Sequence, residues 1–296
     1  LCYIVFMNDY EIRILKGDEI PFQLTQIPEP PKSLYIRGSL PNKNSKIVCI
    51  VGSRRHSSYG EQAVRELILG LKGYNICIVS GLAIGIDGIA HRSAIEAGLQ
   101  TIAFPGSGLD ESVLYPDKHR DLAKEILYSG GGLISEYDNT MPAFEWTFPR
   151  RNRLMAGISE SVIIIEAKIK SGTLITSRLA LDYNKNVGAL PGEITSPLSI
   201  ETNKLIREGA IPITCSEDIL EMLGIKSSES KPVQKELLIN LNNEERMIVE
   251  FLQIEALSHE SLILKTGLKA QTVNETVSIL EINGIIKEIG GKFRIN

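Results

Sequence analysis

The chain has 296 residues, of which 43% are hydrophobic and 23% charged. That composition supports a packed core in one large domain with one or two small ones, and it excludes a disordered chain. A net charge of −4 excludes a molecule that is basic all over, so any polyanion site must be a local patch.

Residues 1–45 read as a short lead-in. The opening LCYIVF is too short for a signal peptide and lacks its basic flank, and a start on Leu1 carries the expectation of a missing natural N-terminus. Pro28, Pro30 and Pro31 mark an extended connector, because proline fixes φ and turns its predecessor away from helix. SLYIRGSL, at 33–40, reads as an edge strand and a turn.

From Lys46 short apolar runs alternate with amphipathic stretches. The runs are KIVCIVG (46–52), ICIVSG (76–81), TIAFPG (101–106), LISEY (133–137), VIIIEA (162–167), NVGALPG (186–192) and IPIT (211–214). Nearly continuous apolar strands imply burial on both faces, as in a parallel sheet. Helix candidates lie between them at 59–71, 87–97, 174–183 and 203–208; in the first, Ala63, Val64, Leu67, Ile68 and Leu71 form one stripe. The expected fold class is α/β: an extended Rossmann-like, doubly wound, mainly parallel sheet over 46–224. Residues 225–240 are polar and read as a linker. Residues 241–296 then predict helices at 244–254, 258–266 and 270–282 and a hairpin around Gly290 and Gly291, together a small C-terminal winged helix-turn-helix domain.

Cys2, Cys49, Cys77 and Cys215 include no Cys-x-x-Cys pair. Cys49 and Cys77 sit in apolar runs and are expected to be buried free thiols in a reducing cytosol, so no metal site is expected. No apolar run reaches the length of a membrane span, and a cytoplasmic protein without membrane contact is expected.

In open α/β sheets ligands bind at the carboxyl ends of the strands, where helix N-termini point amides outward. After the first run stand Gly52, Ser53 and Arg54: a close backbone approach, a hydroxyl and a bidentate cation, all suited to phosphate. The competing reading is a tight turn with a surface ion pair. After the second run Asp87 and His91 lie four apart, as an acid–base pair or as a helix-start carboxylate with a structural histidine. Phe148, Arg150, Arg151, Asn152 and Arg153 form the densest basic cluster, which suits stacking of bases and binding of phosphates. The bland alternative pairs some of these arginines with Glu136 and Glu166. Lys170, Ser171, Gly172 and Thr173 open a helix and offer an anion nest. Neither a dinucleotide fingerprint nor a P-loop is present, so no cofactor is expected.

Together IVGSR (50–54), VSGLAIGIDGIAH (79–91), PGSGLD (105–110), FPRRNRLMAGIS (148–159), EAKIKSGTLIT (166–176), LPGEI (190–194) and NKLIREGA (203–210) resemble the DprA/Smf family of bacterial DNA-processing proteins. The likeness runs over roughly 20–224, and the C-terminal module resembles the winged helix that many members append. It implies a non-enzymatic protein that binds single-stranded DNA, protects it and promotes loading of RecA in DNA uptake, natural transformation and recombination. It also implies a homodimer, a lead-in that is the remnant of a small helical domain, and no metal. The DNA contacts carried over are Arg54 with Gly52 and Ser53, then Phe148, Arg150, Asn152 and Arg153, then Lys170 to Thr173.

The chain departs from the family where a lysine precedes the phenylalanine by three residues: here Glu145 stands, followed by Trp146, which offers a stacking surface. The winged helix holds six Lys or Arg against eight Glu, with Glu275 and Glu281 on the presumed recognition helix. That module is expected to contact protein or the other domain, not duplex DNA. Two other functions compete: a nucleotide-binding phosphoribohydrolase of the lysine-decarboxylase-like group, whose Pro-Gly-Gly-x-Gly-Thr hallmark is missing at 105–110, and a transcription regulator using the winged helix.

Overall fold

The computed structural model describes residues 10–169, 171–225, 241–283 and 285–295. Two compact units divide the chain, one ending at Lys226 and the other starting at Ser227. Cys2 and nearly all of the 225–240 linker lie outside the described residues.

The first unit is built on a nine-stranded sheet in the order β1-β2-β6-β5-β4-β3-β7-β8-β9. The strands are β1 (Arg13–Lys16), β2 (Ser33–Gly38), β3 (Lys46–Val51), β4 (Ile76–Ser80), β5 (Gln100–Ala103), β6 (Gly132–Ser135), β7 (Ser161–Ile164), β8 (Asn186–Ala189) and β9 (Ile211–Pro212). All seven apolar runs become strands, and β3 through β9 pair in parallel. Two more strands come from the lead-in. β2 is not an edge: it pairs antiparallel with β6 on one side and with β1 on the other. The sequence hid this because β1, with one buried residue in four, reads as polar. β9 ends at Pro212, a residue tolerated at a sheet edge because no neighbour needs its missing N–H.

The helices are α1 (Phe22–Thr25), α2 (Ser58–Gly70), α3 (Ile86–Glu96), α4 (Arg120–Tyr128), α5 (Thr147–Ile158), α6 (Thr173–Asp182), α7 (Ile200–Arg207) and α8 (Ser216–Met222). They cover both faces of the sheet. On β3, Ile47, Cys49 and Val51 enter one core with Leu154 and Met155 of α5 and Ala180 of α6. Val48 and Ile50 enter the other with Val64, Leu67 and Ile68 of α2 and Ile89 of α3. Each buried Val, Leu, Ile or Met among them contributes about 1.5–3 kcal/mol through loss of water contact. Cys49 and Cys77 are buried free thiols, and burial raises the pKa of both.

Helix α2 starts on Ser57, whose side chain accepts from the Gly60 amide at 3.1 Å. Helix α5 carries the basic cluster, a stretch to which the sequence pattern assigns no element. Pro149 is the third residue of α5, where its missing N–H has no partner to lose.

The strand order reverses between β3 and β7: β3, β4, β5 and β6 step one way, β7, β8 and β9 the other. Loops leaving the carboxyl ends of β3 and β7 therefore diverge and leave a crevice. Among the described residues no helix is long and apolar enough to cross a membrane.

The second unit holds α9 (Asn243–Ile254), α10 (His259–Thr266), α11 (Ala270–Ile282) and the antiparallel hairpin β10 (Ile286–Ile289) and β11 (Lys292–Ile295). Asn242 and Glu245 close a capping box on α9, and Ser258 caps α10. Gly290 and Gly291, at φ +60° and +76°, make the two-residue turn that favours a twisted hairpin. Ile248, Leu252, Leu262, Val273, Val277, Leu280 and Phe293 fill its own core. Three helices and a hairpin give the winged-helix architecture.

Candidate functional site

The crevice between β3 and β7 contains a cavity of about 550 Å³. From β3 it is lined by Gly52, Ser53, Arg54 and Arg55; from the β7–α6 connection by Lys168, Ser171, Gly172 and Thr173; from the α5 side by Glu145, Phe148, Arg151 and Asn152. Thr173 donates its hydroxyl to the Gly52 carbonyl at 3.3 Å and so ties the two loops together.

The Gly52–Arg55 loop is shaped by close packing. A Cβ on Gly52 would lie 2.8 Å from the Ile86 side chain. The Ser53 carbonyl accepts from the Ile86 amide at 3.2 Å, and the Ser53 hydroxyl accepts from the Arg55 amide at 3.1 Å. Gly85, at φ +86°, sits directly under the loop, its would-be Cβ 2.4 Å from the Ser53 carbonyl and 2.8 Å from Arg54 backbone. The result presents Arg54 outward. Its Cζ lies 5.1 Å from the centroid of the Phe148 ring, a cation–π contact. Among the described residues no carboxylate lies within ion-pair distance of Arg54 or Arg55. The Phe148 ring rests on Gly106 and tilts against Tyr115, with centroids 5.7 Å apart.

The arginines of α5 divide by helical position. Arg151 is buried and donates to the carbonyls of Gly81 and Phe104 at the ends of β4 and β5. Asp87 accepts from the Gly81 amide at 3.1 Å; burial raises its pKa, and the Arg151 charge opposes that. Arg153 is also buried and pairs with Glu136 and the Glu29 carbonyl. Arg150 is exposed, with Nε 3.4 Å from Glu136. Asn152 accepts from Arg151 Nε at 3.2 Å and reaches the Gly172 carbonyl at 3.4 Å.

The residues expected together are thus separated into groups. Gly52, Ser53, Arg54, Phe148, Asn152, Ser171, Gly172 and Thr173 line one cavity; Arg150 and Arg153 share Glu136 away from it. Lys170 lies outside the described residues. Glu166 takes no arginine: its carboxylate accepts from the Ser57 amide and hydroxyl at the start of α2. Among the described residues, Gly52 and Gly172 are the glycines that line the cavity; Gly81 makes room for Arg151, and Gly106 for Phe148. Arg55 and Lys168 were missed as candidates, although Arg55 follows Arg54 directly and Lys168 precedes Lys170 by two residues.

Asp87 and His91 do not pair. His91 is buried with Nδ1 2.7 Å from the Thr101 hydroxyl, and burial lowers its pKa to about 3. The Thr101 hydroxyl donates to Ile78, so it accepts from His91 Nδ1–H and leaves Nε2 unprotonated. Among the described residues no group of three or more His, Cys, Asp or Glu is placed to hold a metal ion.

Residues 11–224 match the family model described as DNA recombination-mediator protein A. The chain belongs to that family. The Smf protein of Escherichia coli (strain K12) is 41% identical over 223 residues, 75% of this chain and 59% of the relative's length. The DNA processing protein DprA of Streptococcus pneumoniae is 39% identical over 203 residues, 69% and 71% of the two chains. Among solved structures, that of the S. pneumoniae protein is similar at TM-score 0.66 and 37% identity, covering 71% of this chain and 74% of that one. A Helicobacter pylori DprA structure, described for its single-stranded DNA binding mode, gives TM-score 0.64 and 31% identity, covering 73% and 96%. The DNA recombination-mediator match takes in β1 and β2 and the whole cavity lining, and ends before the winged helix.

Proposed function

We propose that the chain binds single-stranded DNA across the carboxyl rim of the sheet, at the crevice between β3 and β7. The observation that carries this is Arg54: an exposed guanidinium laid on Phe148 at the cavity mouth, with no carboxylate partner among the described residues. Arg55 and Lys168 add cationic lining, and the start of α6 adds backbone amides. Phosphates meet these groups and bases lie toward the aromatic ring, so recognition is electrostatic and little dependent on sequence. Arg150 contacts the strand beyond the cavity, and Arg153 acts by holding Glu136 and α5 in place. Family membership and the similarity to DprA structures support the further reading: the bound strand is protected and passed to RecA in DNA uptake and recombination, by a homodimer.

The test is fluorescence anisotropy with labelled oligo-dT over a range of salt. Arg54→Ala is expected to weaken binding roughly tenfold and to lower the salt slope by about 0.7, the value for one phosphate contact on a single strand. Unchanged affinity and slope would remove the basis of the reading.

For the C-terminal unit we infer a protein contact. On α11, Glu275, Ile279 and Ile282 fall on one exposed face, with Glu281 exposed beside it, a surface that offers no basic side chain to duplex phosphate.

A further inference from the structure

Trp146 is the only tryptophan in the chain. It immediately precedes α5 and is 53% exposed. The Phe144 ring, 46% exposed, lies nearly parallel to it, at 7° between planes and 6.2 Å between centroids. The platform is anchored from behind. Buried Tyr137 meets Trp146 edge-on, centroids 5.7 Å apart, and donates its hydroxyl to the Thr147 carbonyl at 3.0 Å. The Phe144 carbonyl accepts from the Thr147 amide at 3.0 Å, which fixes the turn that aligns the two rings. Two half-exposed rings held in fixed orientation on a loop serve no core.

Charge and chain continuity say what covers them. Between the two ring-bearing residues in sequence stands Glu145, which lines the β3–β7 cavity, and two residues after Trp146 comes Phe148, which lines it too. Four residues after Trp146, on the same side of the helix start, is exposed Arg150. A strand leaving the cavity over the N-terminal end of α5 meets a carboxylate, which repels phosphate and turns the bases inward. The next surfaces it reaches are aromatic, with a cation beside them for the outward phosphate.

We propose that Trp146 and Phe144 form a second base-stacking station, separate from Phe148, for nucleotides leaving the cavity. This rests on the single-strand reading above. It accounts for Glu145: the position serves base contact instead of phosphate contact.

The sole tryptophan makes the test direct. Its emission is followed while oligo-dT of 20 nucleotides is added to the full chain, with anisotropy of a labelled copy measuring binding in parallel. Quenching that saturates in step with the anisotropy is expected. Trp146→Ala should weaken 20-mer binding roughly 5- to 150-fold, the range for loss of one stacked base, and Trp146→Phe should restore most of it. Phe144→Ala, which leaves Trp146 and its packing on Tyr137 in place, should weaken binding in the same direction. Binding with unchanged emission, or Phe144→Ala and Trp146→Ala both binding as wild type, would overturn the station and leave the single-strand reading standing. Absence of any binding would overturn both.

Discussion

Arg54 and Arg153 carry the same group into opposite circumstances. Arg54 is exposed over an aromatic ring, while the Arg153 side chain is 7% exposed against Glu136. Their substitutions should therefore separate binding from folding. Arg153→Ala leaves Glu136, itself 15% exposed, without its buried partner and should cost about 3 kcal/mol of stability. Arg54→Ala should cost no more than about 1 kcal/mol of stability, the worth of an exposed cation–π contact. Urea melts of both variants decide this; equal losses would contradict the assignment. His91 sets an acid limit. Above its ordinary pKa near 6.5 the residue is neutral whether the chain is folded or not. As pH falls toward about 3, the unfolded chain takes up a proton that the folded chain refuses, so stability declines, by up to about 1.4 kcal/mol per pH unit. Buried Asp87, with its raised pKa, acts in the opposite sense, but does so in wild type and variant alike. Melts from pH 7 to 4 should show a flatter acid slope for His91→Gln, and parallel slopes would refute the linkage.

At the scale of elements, α3 and α5 set the cavity wall. Gly85 opens α3 at a φ of +86° and touches the backbone of the Arg54 loop. Gly85→Ala should strain that turn by about 1–3 kcal/mol and push Arg54 off Phe148, so both melting temperature and oligo-dT affinity should fall. Intact affinity in a folded variant would show that the loop does not depend on α3. The seven parallel strands were legible as nearly continuous apolar runs, and α2 because its apolar residues recur at the helical period: Val64, Leu67, Ile68 and Leu71 all turn inward. Helix α5 was not, because its inward residues include Arg151 and Arg153, which defeat a polarity pattern. Arginine is buried there by strand-end carbonyls and Glu136, which lie far away in sequence. Composition located the basic cluster; only the helix could separate Arg150 from its neighbours.

For the whole molecule, each unit has a core of its own, and the cavity lining lies within the first. Removing 241–296 should leave single-strand affinity within a factor of about two, measured by anisotropy, whereas a collapse would place the winged helix in the binding surface. The hydroxyl of Thr173 meets the carbonyl of Gly52 across 121 residues of chain. Neither bank of the crevice means anything without the other, so no short excised peptide can inherit the property. On the single-strand reading, recognition appears late: it waits until parts of the polypeptide that are distant in sequence have closed on each other.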